Sequence, residues 1–203
     1  MKAAPDNQKF RIVISTDYPP LDTRFPFADG VPATHRSDPD DLQSMVRFLL
    51  YANEFDIEGL IASSATVANI ADKKNILDML DLYAQIEGQL RSADPAYPTA
   101  DDLRSITFEG RTGTYGKSVE HTLGEGKDSE ASDAIIRIID KDDERPVWFC
   151  FWGDCSNLAQ AIWRIQQHRT PQELARFISK IRIYQIGHQD FTIDWMMDNF
   201  PDL

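Results

Sequence analysis

The chain has 203 residues, 42% of them hydrophobic, and a formal net charge of -12. That length and apolar content suffice for one substantial core, and no composition shift divides it, so a single domain over residues 1–203 is predicted. The acidic balance argues against nucleic acid and anionic membrane as partners, because such binding is driven by clustered Lys and Arg releasing counterions.

Met1 to Lys9 is polar, and the apolar run after it is only Phe10 to Ile14, far short of a signal-peptide core or a membrane span. As given, the chain reads as cytoplasmic; secretion or a periplasmic location stays open if an upstream signal has been removed. Cys150 and Cys155 do not suggest a secreted disulfide framework and read as inert core thiols.

Phe10-Arg11-Ile12-Val13-Ile14 is rich in β-branched residues and predicts a strand buried on both faces, ending in Ser15-Thr16-Asp17. Residues 18–37 hold Pro19, Pro20, Pro26 and Pro32 without an apolar period and read as a Pro-rich insertion loop. Ser37-Asp38-Pro39-Asp40-Asp41 then gathers three carboxylates at the mouth of a helix, and Asp17 adds a fourth nearby. Two readings compete. Asp38 as N-cap, Pro39 in the first turn and acids beside the positive end of the dipole make a complete helix start. Asp17, Asp40 and Asp41 also make an oxygen-rich set suited to calcium or magnesium.

The helix that follows carries Leu42, Met45, Val46, Leu49 and Leu50 as one stripe and is expected to end near Asn53. Ile57 to Ile61 is the second predicted strand; it runs into the small polar residues Ala62-Ser63-Ser64-Ala65-Thr66, where ligands bind in open α/β sheets. A long helix is predicted over Ile70 to about Glu87, and 91–129 reads as loop. Asp128 or Ser129 caps a helix with Ala131, Ala134, Ile135, Ile138 and Ile139 on one face. Val147 to Phe151 is the third predicted strand, followed by the turn Trp152-Gly153-Asp154-Cys155-Ser156-Asn157 and a helix on Leu158, Ala161, Ile162 and Ile165. Ile181 to Ile186 is the fourth, leading through Gly187-His188-Gln189-Asp190 to a short helix ending at Asn199-Phe200-Pro201. Strands alternating with helices predict a Rossmann-like α/β fold: a mainly parallel sheet, helices on both faces, the first strand central.

Gly110 to Ser118 imitates a phosphate-binding loop, but its spacing fails by one residue, because Arg111 stands where the first glycine belongs. His35, His121, His168 and His188 share no metal spacing. Trp148, Trp152 and Trp163 read as packing residues rather than a sugar platform.

Taken together, Ser15-Thr16-Asp17, the Asp38 to Ser44 helix start, Asn53 to Ile61, Arg145-Pro146-Val147-Trp148, Trp152-Gly153 with Leu158 to Ala161, and the Gln189-Asp190 to Pro201 tail resemble the nucleoside-hydrolase-like bacterial proteins labelled cellulose-binding, and through them the nucleoside hydrolases. The resemblance spans nearly the whole chain. It implies hydrolysis of N-glycosyl bonds, with a calcium-bound water activated by an Asp cluster, or a non-catalytic carbohydrate-binding module on the same fold. It also implies Asp17 as base and bridging ligand, Asp40 and Asp41 as ligands, and a backbone oxygen at Trp152 as another. Ser63, Ser64, Thr66, Asn157, Gln189 and Asp190 lie where the hydroxyls of a nucleoside or sugar would be held. In that family the last metal-binding Asp and the leaving-group acid come from beyond the position of Leu203, so the chain is expected to be the amino-terminal part of a longer domain. Homo-oligomerisation is left open.

Overall fold

A computed structural model describes residues 8–23, 29–32, 35–36, 40–64 and 69–203. Five parallel strands form one sheet in the order β3-β2-β1-β4-β5, with β1 Phe10–Thr16, β2 Phe55–Ala62, β3 Thr107–Glu109, β4 Val147–Phe151 and β5 Ile181–Gln185. The chain leaves β1 in one direction to β2 and β3, then returns past β1 to β4 and β5. Right-handed crossovers therefore place the two sets of helices on opposite faces and open a crevice between the carboxyl ends of β1 and β4.

The alternation along β1 matches that layering. Ile12 and Ile14 pack with α1 (Asp40–Leu49), α2 (Lys73–Ala93) and α3 (Ala100–Ser105) through Met45, Phe48, Ile76, Leu80 and Leu103. Val13 points the other way, to the core shared by α5 (Glu130–Ile139), α6 (Ser156–His168), α7 (Pro171–Ser179) and α8 (Thr192–Asn199). Also on that side, Arg11 is fully buried in the strand and bonds Glu58 Oε1 at 2.7 Å, Ile138 O at 2.8 Å and Arg145 O at 3.2 Å.

The parallel α/β architecture with β1 at its centre is as the sequence predicts. α5 begins after Ser129, which forms a capping box with Ser132, and all five predicted stripe residues are buried. Several details differ. Residues 91–129 are not all loop: Thr99 and Asp102 close a capping box that starts α3, β3 follows as the fifth strand, and α4 (Val119–Thr122) adds one turn. Three residues of edge strand bury too little to leave a periodic signal. α7 starts from a third capping box, Thr170 with Glu173, with Pro171 in its first turn. α2 starts at Lys73 after the cap Asp72, not at Ile70, and continues to Ala93. The buried face of α1 is Asp41, Met45, Phe48 and Leu49, while Val46 and Leu50 are exposed, so the stripe lies rotated toward Asp41. Trp148 is 37% exposed on the sheet face rather than packed in the core. Cys150 and Cys155 are free thiols.

Candidate functional site

The carboxyl end of β1 delivers Asp17 to the crevice, and the first turn of α1 swings Asp41 in from above. Both are buried. Asp41 Oδ2 accepts from Thr16 Oγ1 at 2.9 Å and from the Asp17 backbone N–H at 3.2 Å. The two carboxyl groups also hydrogen-bond each other; burial raises the pKa of Asp41, and the charge of Asp40 adds to the rise. Asp40 itself faces solvent. The structure thus unites Asp17 with Asp41 and leaves Asp40 outside the pair. Asp38, the proposed cap, and Thr66 lie outside the described residues.

The turn after β4 closes the other side. Trp152 N–H donates to Ser15 O at 2.8 Å, which lays the turn over the end of β1. A Cβ on Gly153 would sit 3.1 Å from Asp17 Cβ, 3.2 Å from Asp17 Cγ and against Ser63 Oγ. Only a residue without a side chain lets this backbone approach Asp17 and Ser63 so closely. Gly153→Ala is expected to cost about 1–3 kcal/mol by overpacking and to displace Asp17. Urea denaturation checks the cost, and a change under a few tenths of a kcal/mol would show that the turn yields freely.

Trp152 O, the implied ligand, accepts from Gln189 Nε2 at 2.8 Å, which leaves one lone pair of the carbonyl oxygen. Ser63 is buried, and its Oγ has no hydrogen-bond partner among the described residues. It lines a cavity of about 10 Å³ together with Thr16, Asp17, Tyr18, Asp72 and Asn75, the size of one water oxygen. Ser15 Oγ and Asn157 Nδ2 are likewise buried without a partner among the described residues.

The remaining predicted residues build the rim instead of facing the crevice. Ser64 Oγ donates to Arg111 O at 2.8 Å. Asn157 Oδ1 accepts from Ser129 Oγ at 2.8 Å and Arg111 N–H at 3.3 Å. A Cβ on Gly110 would fall 2.6 Å from Ala62 O and 2.5 Å from Asn157 Nδ2, so the glycine loop lies flat on the end of β2. Asp190 is buried, and its carboxylate accepts from Cys155 N–H at 2.6 Å and Thr192 N–H at 2.7 Å, joining the starts of α6 and α8.

Sequence reasoning passed over Asp154 in the same turn. It is fully buried, accepts from Thr114 Oγ1 and, at 2.8 Å, from Ser156 Oγ, and its pKa is pushed up to about 7 by burial and then by the charge of Asp190. Its place after a buried strand was the available signal; Thr114, forty residues away, carried none. An acid whose folded pKa lies above its unfolded value loses stability as pH rises between the two. Wild-type stability should therefore fall from about pH 4 to about pH 7 through this group. Asp154→Asn should flatten that slope and be the more stable protein at pH 8. Urea midpoints at pH 5 and pH 8 test it; parallel profiles for the two proteins would rule it out.

Among the described residues no three His, Cys, Asp or Glu side chains converge closely enough to hold a metal ion. The oxygens that do sit together, the Asp17 and Asp41 carboxyl groups with Ser63 Oγ lining the same cavity as Asp17, are hard-donor chemistry of the kind calcium takes.

Comparison with known proteins bears on this arrangement. Residues 31–203 match the family described as "Cellulose-binding Sde182, nucleoside hydrolase-like domain". A solved structure of a nucleoside hydrolase-related hypothetical protein from Saccharophagus degradans, described as associated with carbohydrate metabolism, is 38% identical with a TM-score of 0.82. The match covers 97% of this chain and 43% of that one, so the chain spans less than half the length of its relative. No curated protein matches at a significant level. The fold and the match over residues 31–203 agree, and the chain belongs to the family described as Sde182, nucleoside hydrolase-like domain.

Proposed function

We propose that the crevice between β1 and β4 is the site of a glycosidic-bond hydrolase of the nucleoside-hydrolase kind, acting on N-glycosyl bonds with Asp17 as general base. The observation that carries this reading is the Asp17–Asp41 pair, buried at the switch point of the sheet with the backbone of Gly153 packed closely against Asp17. Two buried carboxyl groups that share a hydrogen bond are held in a low-dielectric setting where a base can be tuned. Asp41, fixed by Thr16 and the Asp17 amide, orients its neighbour. Asp17 accepts a proton from the attacking water, and the sugar carbon passes through a state with oxocarbenium character. Asp17, Asp41 and Trp152 O are the groups that would hold a calcium ion. When bound, calcium would supply a Lewis acid that lowers the pKa of water. Ser63 offers a buried polar atom beside Asp17 to a sugar hydroxyl.

A second reading keeps the sugar site and drops the chemistry: a carbohydrate-binding module. The cellulose-binding description of the family favours it. Release of free base from a nucleoside panel, run beside release of sugar from O-glycosides, separates the two. The hydrolase reading expects turnover that Asp17→Asn removes. Saturable sugar binding without turnover of any substrate would leave the binding module.

A further inference from the structure

We propose that the open face of the sheet over β4 and β5 is the dock for an amphipathic helix supplied by the polypeptide that follows residue 203 in the full-length protein. The dock lies on a sheet face and not at the carboxyl edge, so it does not depend on any hydrolysis in the crevice.

Side chains alternate along a strand, and the register fixes which of them share a face. Ile12 pairs with Trp148, and Cys150 pairs with Tyr184, so these four stand on the side where α1, α2 and α3 cover β1 and β2. Toward β5 that cover stops. Phe10 is 60% exposed and Tyr184 58%, and together with Ile12, Phe55, Trp148 and Cys150 they line a groove of about 290 Å³ that contains no charged side chain. The other face of the same two strands is packed: Val147, Phe149, Phe151 and Ile181 are buried in the core shared with α5, α6, α7 and α8.

All-parallel sheets occur almost only with both faces covered, because their strands are apolar on both sides. Val147-Trp148-Phe149-Cys150-Phe151 is such a strand, and among the described residues it is covered on one side only. A contiguous apolar patch of this kind marks an interaction site. β1 and β5 stand two strand spacings apart, about 10 Å. That is the width of one helix with its side chains, about 10–12 Å. The lack of charge in the groove selects an apolar stripe as its occupant.

Two observations identify the source of that helix. The match covers 43% of the related solved structure, so more than half of that relative's length is polypeptide outside the matched part. Leu203 also lies beside the open face: it lines one cavity with Arg182, and Arg182 is the register neighbour of Trp148 on β5. A chain continuing from there has only the edge strand to pass before it reaches the groove.

The test uses the full-length protein with a photoreactive side chain in the groove, Tyr184→p-benzoylphenylalanine. On illumination the side chain should link within one molecule, leaving a monomer band on a denaturing gel, and peptide mass spectrometry should place the linked peptide after residue 203. A linked dimer would assign the face to a second copy, a linked peptide within residues 1–203 would assign it to a segment of this chain, and no linked peptide would leave the face open. Each of those three results overturns the proposal. A second variant reads the same cover without a cross-link: Tyr184→Cys should react with a maleimide at least about tenfold more slowly in the native full-length protein than in urea. A smaller reduction would overturn it too. Neither readout involves activity, so an inert crevice would leave the dock untouched.

Discussion

Arg11→Ala is expected to lower the unfolding free energy by about 3–5 kcal/mol, the range for breaking a buried ion pair by removing one partner. Arg11 has no solvent exposure at all, although it sits in the central strand of the sheet. Its guanidinium is satisfied on three sides by Glu58, Ile138 O and Arg145 O, and Asp143 lies 3.7 Å away. Truncation leaves Glu58, only 11% exposed in its side chain, and two carbonyl oxygens to find new partners in a dry layer. Lys141 also pairs with Glu58 and offsets part of that loss. Arg11→Met isolates the cause, since it restores most of the volume without the charge. If polar satisfaction dominates, methionine recovers little; if volume dominates, it recovers most. Urea denaturation of the two variants decides, and a loss under about 1 kcal/mol for alanine would show that the strand tolerates an empty position there.

Arg11 also marks where sequence reading reaches its limit. Phe10 to Ile14 is recognisable as a buried strand because four of its five residues are apolar, and the arginine passes as an exception. Its partners lie 47, 127 and 134 residues away, and no local pattern announces them. The helices that were legible are those with a long apolar stripe, α5 with its cap Ser129 and α6 with Leu158, Ala161, Ile162 and Ile165. β3 escaped because three residues carry no period, and its pairing with β2 is decided by tertiary contact. At the site the acids announced themselves, since charged residues beside a buried strand are rare. Their division of labour did not: adjacent positions on a helix point about 100° apart, so Asp41 turns inward and Asp40 outward. The residues read as substrate-side lie at the carboxyl edge of the sheet, yet Ser64, Asn157 and Asp190 are spent on backbone and hydroxyl partners that hold the loops.

Asp17→Asn is the substitution with the largest expected effect on function and an opposite effect on stability. The exchange is nearly isosteric and removes one of two carboxylates packed together out of water. Like charges so placed destabilise the fold until a cation neutralises them, so the variant should melt above wild type in a chelator. The Asp17 backbone N–H still reaches Asp41 Oδ2, which keeps the turn in place. Calcium should reverse the order. Ligand that binds only the folded state raises the midpoint with concentration, and the variant, lacking one ligand carboxylate, should respond more weakly than wild type. Hydrolysis should fall by about 10²–10⁴-fold through loss of the general base alone. A helix cap without metal or chemistry predicts something else: a change of a few tenths of a kcal/mol or less, as for an ordinary surface position, and no response to calcium in either protein. Paired melts with chelator and with millimolar calcium distinguish the outcomes without any substrate. A wild-type midpoint that calcium does not raise would remove the metal from the site, and a variant that melts well below wild type in chelator would show that Asp17 is held by structure rather than for binding.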